Sequence, residues 1–313
     1  MFLGLDFSEQ FVAVIIADDS GATLVALRAE LPRAGSASEQ WLATMQTARE
    51  AMLQTHAIAS QIKNTYITFF GPLDENGVVQ KDARAPGWNA YDLPRAIREH
   101  LQLENVSALP RVLGEAIGEE RLGALRCEET SAAEKTSKDN WLYLHLGATV
   151  EAAARSGGVL VRGANTSALE IGAVCIERGG ALSDSGKRGS LNGYCGGDAF
   201  IARARSYGLT TSTPREIWEV APTNAMAKSL CDDYVERLAQ GVGATLSILN
   251  PARLIIGGEF GHELGDSLLA PLRARLGEYC LARHLENLEI SVGQLGRDAA
   301  VLGAVSLARV ELK

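Results

Sequence analysis

The chain is 313 residues long, with 46% hydrophobic and 22% charged residues, too apolar a balance for a disordered chain and enough length for about two domains. Its formal net charge of −8 and the lack of any long Lys/Arg run argue against direct nucleic-acid binding, because an acidic surface repels phosphate. No apolar run reaches the roughly 18 residues of a membrane span, and Asp6 comes too early for a signal peptide, so a cytoplasmic protein with no membrane partner is expected.

The first thirty residues read as a β-meander. Phe2–Phe7 is a short apolar strand, Phe11–Ala17 a β-branched one, and Asp18-Asp-Ser-Gly21 turns the chain into a third strand over Thr23–Glu30. Ser36-x-x-Glu39 predicts a capping box, and Trp41, Met45, Ala48 and Met52 at spacings of three and four share the buried face of the helix it opens. A strand over Thr65–Phe70, a Gly71-Pro72 turn and a helix over Asp92–Leu101 follow.

Residues 128–139 are polar and aperiodic, the pattern of a surface connection between two lobes. The order of elements then starts again. Trp141–Leu146 is a strand, β-like segments continue to about Val174, and 180–197 is Gly/Ser-rich and irregular. A long helix runs from Ala225 to Asn250, with Met226, Leu230, Tyr234, Leu238, Val242 and Leu246 as its apolar stripe, and Pro251 stops it. Leu254–Ile256 leads into Gly257-Gly258, and a final helix covers Asp298–Leu312. Strands followed by helices, twice over, predict two similar α/β lobes: residues 1–122 with 298–313, and residues 123–297, with a ligand cleft between them.

Glycine is the compositional outlier at 32 residues, as befits a fold whose backbone turns sharply or approaches a ligand. Cys127, Cys175, Cys195, Cys231 and Cys280 are odd in number and widely spaced, which reads as free thiols in a reducing compartment. His56, His100, His145, His262 and His284 show no metal-ligand spacing, and Trp88 and Trp141 read as core.

Several features carry a family resemblance. They are Gly4-Leu-Asp6 at the end of the first strand, Gly71-Pro72-Leu-Asp74-x-x-Gly77, Arg84-Ala-Pro-Gly-Trp-Asn89, and Leu160-Val-Arg-Gly-Ala-Asn165 followed by Glu170-Ile-Gly172. With Ile255-Ile-Gly-Gly258 and Ala300-Val-Leu-Gly-Ala304, they make the chain resemble the ROK family (repressors, open reading frames and sugar kinases) over almost its whole length. The resemblance implies an α/β, two-lobed actin/hexokinase-like (ribonuclease H-like) ATPase fold, often dimeric. It also implies hexose phosphorylation with Mg-ATP in the kinases. The repressors add an N-terminal helix-turn-helix, which is not expected here because the chain opens directly on a strand.

The chain departs from the family's chemistry at three places. Kinases of the family carry an Asn-Asp pair whose Asp is the general base; placed between Pro110 and Leu122-Gly123, this chain has Glu115-Ala116 there. Glu115 is then either a displaced base or simply an early helix residue. The second phosphate segment, Gly-rich in the family, reads Leu146-Gly147-Ala-Thr-Val-Glu151-Ala-Ala153. A Glu151 carboxylate about 5 Å from a phosphate would cost around 3 kcal/mol at an effective dielectric of 20. Phe7-Ser-Glu-Gln10 replaces the first phosphate turn, leaving Asp6 to hold magnesium or to cap the turn, and Gly147, Gly257 and Gly258 to meet nucleotide or to serve packing.

In the third place the family's zinc-binding His and Cys become Ala173, Ser183, Ser185 and Ser190, at intact spacing. No zinc is expected there, and hydrogen bonds must hold the loop. Glu170 matches a sugar-binding carboxylate, Asn192 replaces a second one, and Gly71 and Asn89 lie in segments that border the sugar. The expectation is a carbohydrate-binding, regulatory protein without catalysis, forming a homodimer and needing no cofactor. The alternatives are an ATP- and magnesium-dependent hexose or N-acetylhexosamine kinase using Glu115, and a scaffold that acts through dimerisation.

Overall fold

A computed structural model describes residues 1–31, 36–126 and 139–310; Cys127 and all but the end of the connection at 128–139 lie outside these. β1 (Phe2–Phe7) and β2 (Phe11–Ala17) are buried at every position, as strands covered on both faces must be, while β3 (Thr23–Glu30) alternates between exposed and half-buried. α1 (Ala37–Gln54) starts at the capping box: Ser36 Oγ accepts from the Glu39 amide at 3.3 Å, and Glu39 accepts from the Ser36 amide at 2.7 Å. β4 (Asn64–Phe69) leads through the Gly71 turn to α2 (Leu93–Leu101), capped by Asp92, then β5 (Val106–Pro110) and α3 (Arg111–Leu122).

The second half repeats the plan. β6 (Trp141–Leu146), β7 (Val150–Ser156) and β8 (Val159–Leu160) form an antiparallel meander like β1–β3. α4 (Gly197–Ser206), α5 (Pro214–Val220) and α6 (Ala225–Leu249) follow. β9 (Arg253–Gly257), α7 (Gly258–Leu264), α8 (Asp266–Leu276) and β10 (Glu289–Val292) complete this part before α9 (Ala299–Val310) ends the described chain. The sheet orders are β3-β2-β1-β4-β5 and β10-β9-β6-β7-β8. In each, a meander is extended by two parallel strands.

By packing the chain divides into two units: residues 1–126, 162–167 and 297–313, and residues 127–161 and 168–296. The six residues at 162–167, part of the second lobe in the sequence expectation, pack with the first unit. Leu230, Tyr234, Leu238, Val242 and Leu246 of α6 are buried in the second unit's core, whereas Met226, in the first turn, stays 43% exposed. Trp88 and Trp141 are both core residues. Among the described residues no helix is long and apolar enough to cross a membrane.

In the first unit α3 and α9 approach so closely that glycine is required. A Cβ on Gly303 would stand 1.9 Å from the Gly114 carbonyl oxygen, and one on Gly118 would stand 2.2 Å from that of Ala299. This contact holds α3 against the sheet and fixes which of its residues looks onto the ends of β1 and β4.

Candidate functional site

Parallel strands place their carboxyl ends together, where α/β proteins bind ligands. The register pairs Asp6 with Thr68 and Thr68 with Leu109, so the side chains meeting at this edge are Asp6, Thr68 and the first residue after β5, Arg111. Thr68 Oγ1 donates to Asp6 Oδ1 at 2.7 Å, and Arg111 Nε donates to both Asp6 oxygens at 3.2 and 3.3 Å. Arg111 Nη1 lies 2.7 Å from Glu115 Oε1, one helical turn on. Asp6 is fully buried, Glu115 2% exposed and Arg111 6%. Burial pushes the Asp6 carboxyl above its usual range, against the opposing pull of Arg111 and Thr68. The Phe11 ring carries the Arg111 guanidinium at 5.5 Å, together with those of Arg28 and Arg297 at 4.6 and 4.5 Å.

Glu115 lies in the second turn of α3, buried and paired with Arg111, and the residue at the strand end is Arg111. The spacing from Pro110 to Gly123 is compatible with either register, and only the sheet edge separates them. The group fits a magnesium ion poorly, since a cation at Asp6 would meet a guanidinium already bonded to it.

In the second unit, Gly147 and Thr149 form the turn between β6 and β7. The Gly147 amide donates to the Thr149 carbonyl at 3.0 Å and the Val150 amide to Asn192 Oδ1 at 2.7 Å, so both backbone donors are satisfied internally. Thr149 Oγ1 donates to Glu151 at 2.9 Å, and Glu259 lies 3.6 Å from His145 beside the same turn. A triphosphate there would meet two carboxylates, so these residues too fit Mg-ATP poorly. Gly257 and Gly258 are demanded by packing. A Cβ on Gly257 would stand 2.0 Å from the Tyr143 hydroxyl, and Gly258, at φ +79°, abuts the Leu146 backbone.

The sugar candidates fall in both units. Gly71 is buried just beyond β4, and Asn89 is exposed beside Ala90, whose φ is +59°. Glu170 is exposed and starts a single 3₁₀ turn over Ile171–Ala173; its backbone carbonyl accepts from the Ala173 amide at 3.0 Å, while its carboxylate has no hydrogen-bond or ion-pair partner among the described residues. Asn192 accepts the Val150 amide on its carbonyl oxygen at 2.7 Å.

The serine loop is held as a small hairpin. Bridges pair Cys175 with Ser190 and Leu182 with Arg188, and Ser183 Oγ bonds Ser185 Oγ at 2.9 Å and the Lys187 carbonyl at 3.0 Å. A network not anticipated from sequence ties this hairpin down. Tyr194 donates its hydroxyl to Glu177 and accepts from the Ala181 amide at 2.9 Å. Arg237 stacks over Tyr194 at 4.5 Å and reaches Glu177 at 3.0 Å, while Asp233 links Arg237 to Arg203. No group of three or more His, Cys, Asp or Glu side chains among the described residues is placed to hold a metal.

The paired meander-plus-parallel sheets define a two-lobed α/β fold of the hexokinase kind, matching the ROK hexokinase of Thermus thermophilus at a TM-score of 0.80, 20% identity, and 99% and 98% coverage of the two chains. The ROK family model matches residues 2–311, and the chain belongs to the ROK family. A glucokinase of Thermotoga maritima is 28% identical over 258 residues, 76% of each chain. A glucokinase of Halalkalibacterium halodurans is 29% identical over 181 residues, and the match spans only about half of that relative, 54% of its length and 52% of this chain.

Proposed function

We propose that this sugar-kinase-like chain binds a carbohydrate without phosphorylating it and acts as a regulatory protein. The observation that supports this most is the Arg111 guanidinium bonded to both Asp6 and Glu115 in a buried cluster. A general base needs a free lone pair aimed at the substrate hydroxyl, and Glu115 is 2% exposed and faces its own arginine. The Glu170 carboxylate, exposed and unpaired among the described residues, is suited to accept hydrogen bonds from sugar hydroxyls.

The relatives named glucokinase and kanosamine kinase support a second reading, a sugar kinase, proposed here in the form of an ATP-dependent hexose or N-acetylhexosamine kinase. It requires Glu115 to break from Arg111 before it can take a proton. A melting panel of hexoses, N-acetylhexosamines and nucleotides, run beside an ADP-release assay, separates the two. The binding reading expects one sugar to raise stability, by about 2.7 kcal/mol at a hundred times Kd, with no ADP formed. Sugar-dependent ADP release abolished by Glu115→Gln would establish the kinase instead. A flat response to every sugar, with a dimer in solution, would favour a scaffold.

A further inference from the structure

Residues 162–167 have both flanks in the second unit but pack with the first. Val161 on one side and Leu169 on the other are partly buried against the second unit's hydrophobic core. Between those anchors the segment is exposed or half-buried throughout. Among the described residues, one hydrogen bond leaves it: Thr166 Oγ1 donates to the Leu73 carbonyl at 2.5 Å.

The backbone here is strained. Thr166 has φ +63° and Leu169 φ +65°, left-handed conformations that branched side chains adopt at a cost. Such residues persist only where their surroundings over-determine them, and they concentrate at ligand clamps and switches. Leu73 is 2% exposed and lies in the turn that runs from Gly71 to Gly77, closed by Asp74 and by the Leu73–Val79 bridge. At the other end, the strained Leu169 directly precedes Glu170. One short strap therefore leads along the chain from the Thr166 pin on the Leu73 turn to Glu170.

We propose that residues 162–169 form a sugar-responsive latch, in which Thr166 pins the Leu73 turn and a hexose held at Glu170 reaches that turn through the strap. This rests on the sugar-binding reading above. Contact with a sugar fixes the Glu170 backbone, and a fixed Glu170 fixes Leu169. With Thr166 bonded, that ordering passes to the Leu73 carbonyl and to the turn amides of Asp74, Gly77, Val79 and Gln80, all of which are hydrogen-bonded.

Hydrogen–deuterium exchange on the full chain tests this, with D-glucose as the probe. Without sugar, Thr166→Ala is expected to speed exchange over 73–80 about fivefold, the factor matching a net hydrogen bond of about 1 kcal/mol. Thr166→Ser, which keeps the hydroxyl, stays within twofold of the native chain. Unchanged exchange in Thr166→Ala overturns the pin. With saturating glucose, the native chain is expected to gain protection over both 168–173 and 73–80, and Thr166→Ala over 168–173 alone. Protection of 168–173 without 73–80 in the native chain overturns the latch and leaves sugar binding standing. Protection of neither segment overturns glucose binding and the sugar-responsive latch together.

Discussion

Arg111 Nε stands 3.2 Å from Asp6 Oδ1, across 105 residues of sequence, and both side chains are shut from water. Two carboxylates and one guanidinium share this pocket, with Thr68 contributing a further hydrogen bond. Removing one member of such a group leaves a buried charge uncompensated, which commonly costs 3–5 kcal/mol, whereas apolar replacement of the whole group is far milder. Arg111→Met is therefore expected to destabilise the chain by roughly 3 kcal/mol or more in urea denaturation. The triple change Asp6→Asn, Arg111→Met, Glu115→Leu should recover most of that loss. A single Arg111→Met as stable as the native chain would show that the cluster is solvated.

The same cluster gives a pH signature. Burial raises Asp6 above its ordinary value of 3.8, so the folded state holds this proton more tightly than the unfolded state. Its contribution to stability is then complete below that ordinary value and is lost as pH rises through the folded one. Relative to Asp6→Asn, the native chain should lose stability with rising pH above about 4, measured as the difference between the two denaturation profiles. A difference that grows in the native chain's favour over that interval would mean that Arg111 outweighs desolvation.

The α3–α9 crossing makes a steric prediction with an internal control. A Cβ at Gly303 collides with the Gly114 carbonyl at 1.9 Å, a backbone atom that cannot swing away. Gly303→Ala is expected to cost several kcal/mol or to prevent folding, as forced backbone shifts do. Gly277, with φ −62° and nothing within 4 Å of an added Cβ, should accept alanine with little change or a gain of about 0.4–1 kcal/mol. Similar melting temperatures for the two variants would contradict the crossing.

The elements readable in the sequence were those fixed by near neighbours. The Ser36–Glu39 capping box, the Asp18–Gly21 turn and, from Leu230 onward, the apolar stripe of α6 each depend on spacings of a few residues, and all three are present. The Asp6–Arg111 pair carries no local signal, because the two residues lie on separate elements that only the parallel register of β1, β4 and β5 brings together. The serine loop shows the same division. Its spacing was visible, but Tyr194 and Arg237, which tie it down, come from outside the loop and carry no local signal.

Thiol reactivity separates the cysteines. Burial raises the Cys195 thiol and pushes that of Cys231 up to about 12, and both are buried, whereas Cys175 is exposed. The thiolate is the reactive form, so the two buried thiols should stay silent toward an aromatic disulfide reagent until the chain unfolds. Cys175→Ser should remove one fast-reacting thiol, and Cys231→Ser none. Loss of a fast thiol in Cys231→Ser would place that residue at the surface.

The 174–191 hairpin is expected to hold without metal. Its attachment runs through the Tyr194 hydroxyl, which bonds both Glu177 and the Ala181 amide, and through Arg237 on Glu177. A strong chelator should therefore leave the native melting temperature unchanged. Tyr194→Phe removes both hydroxyl bonds while keeping the ring under Arg237, so a loss of about 1–3 kcal/mol is expected. The loosened hairpin exposes Arg178, Lys187 and Arg188, already at the surface, to trypsin. Cleavage within 178–188 should accelerate about tenfold in Tyr194→Phe, because proteolysis follows the population of the open form when closing is fast. Chelator-induced cleavage at those same sites in the native chain would show that a metal, and not Tyr194, fastens the loop.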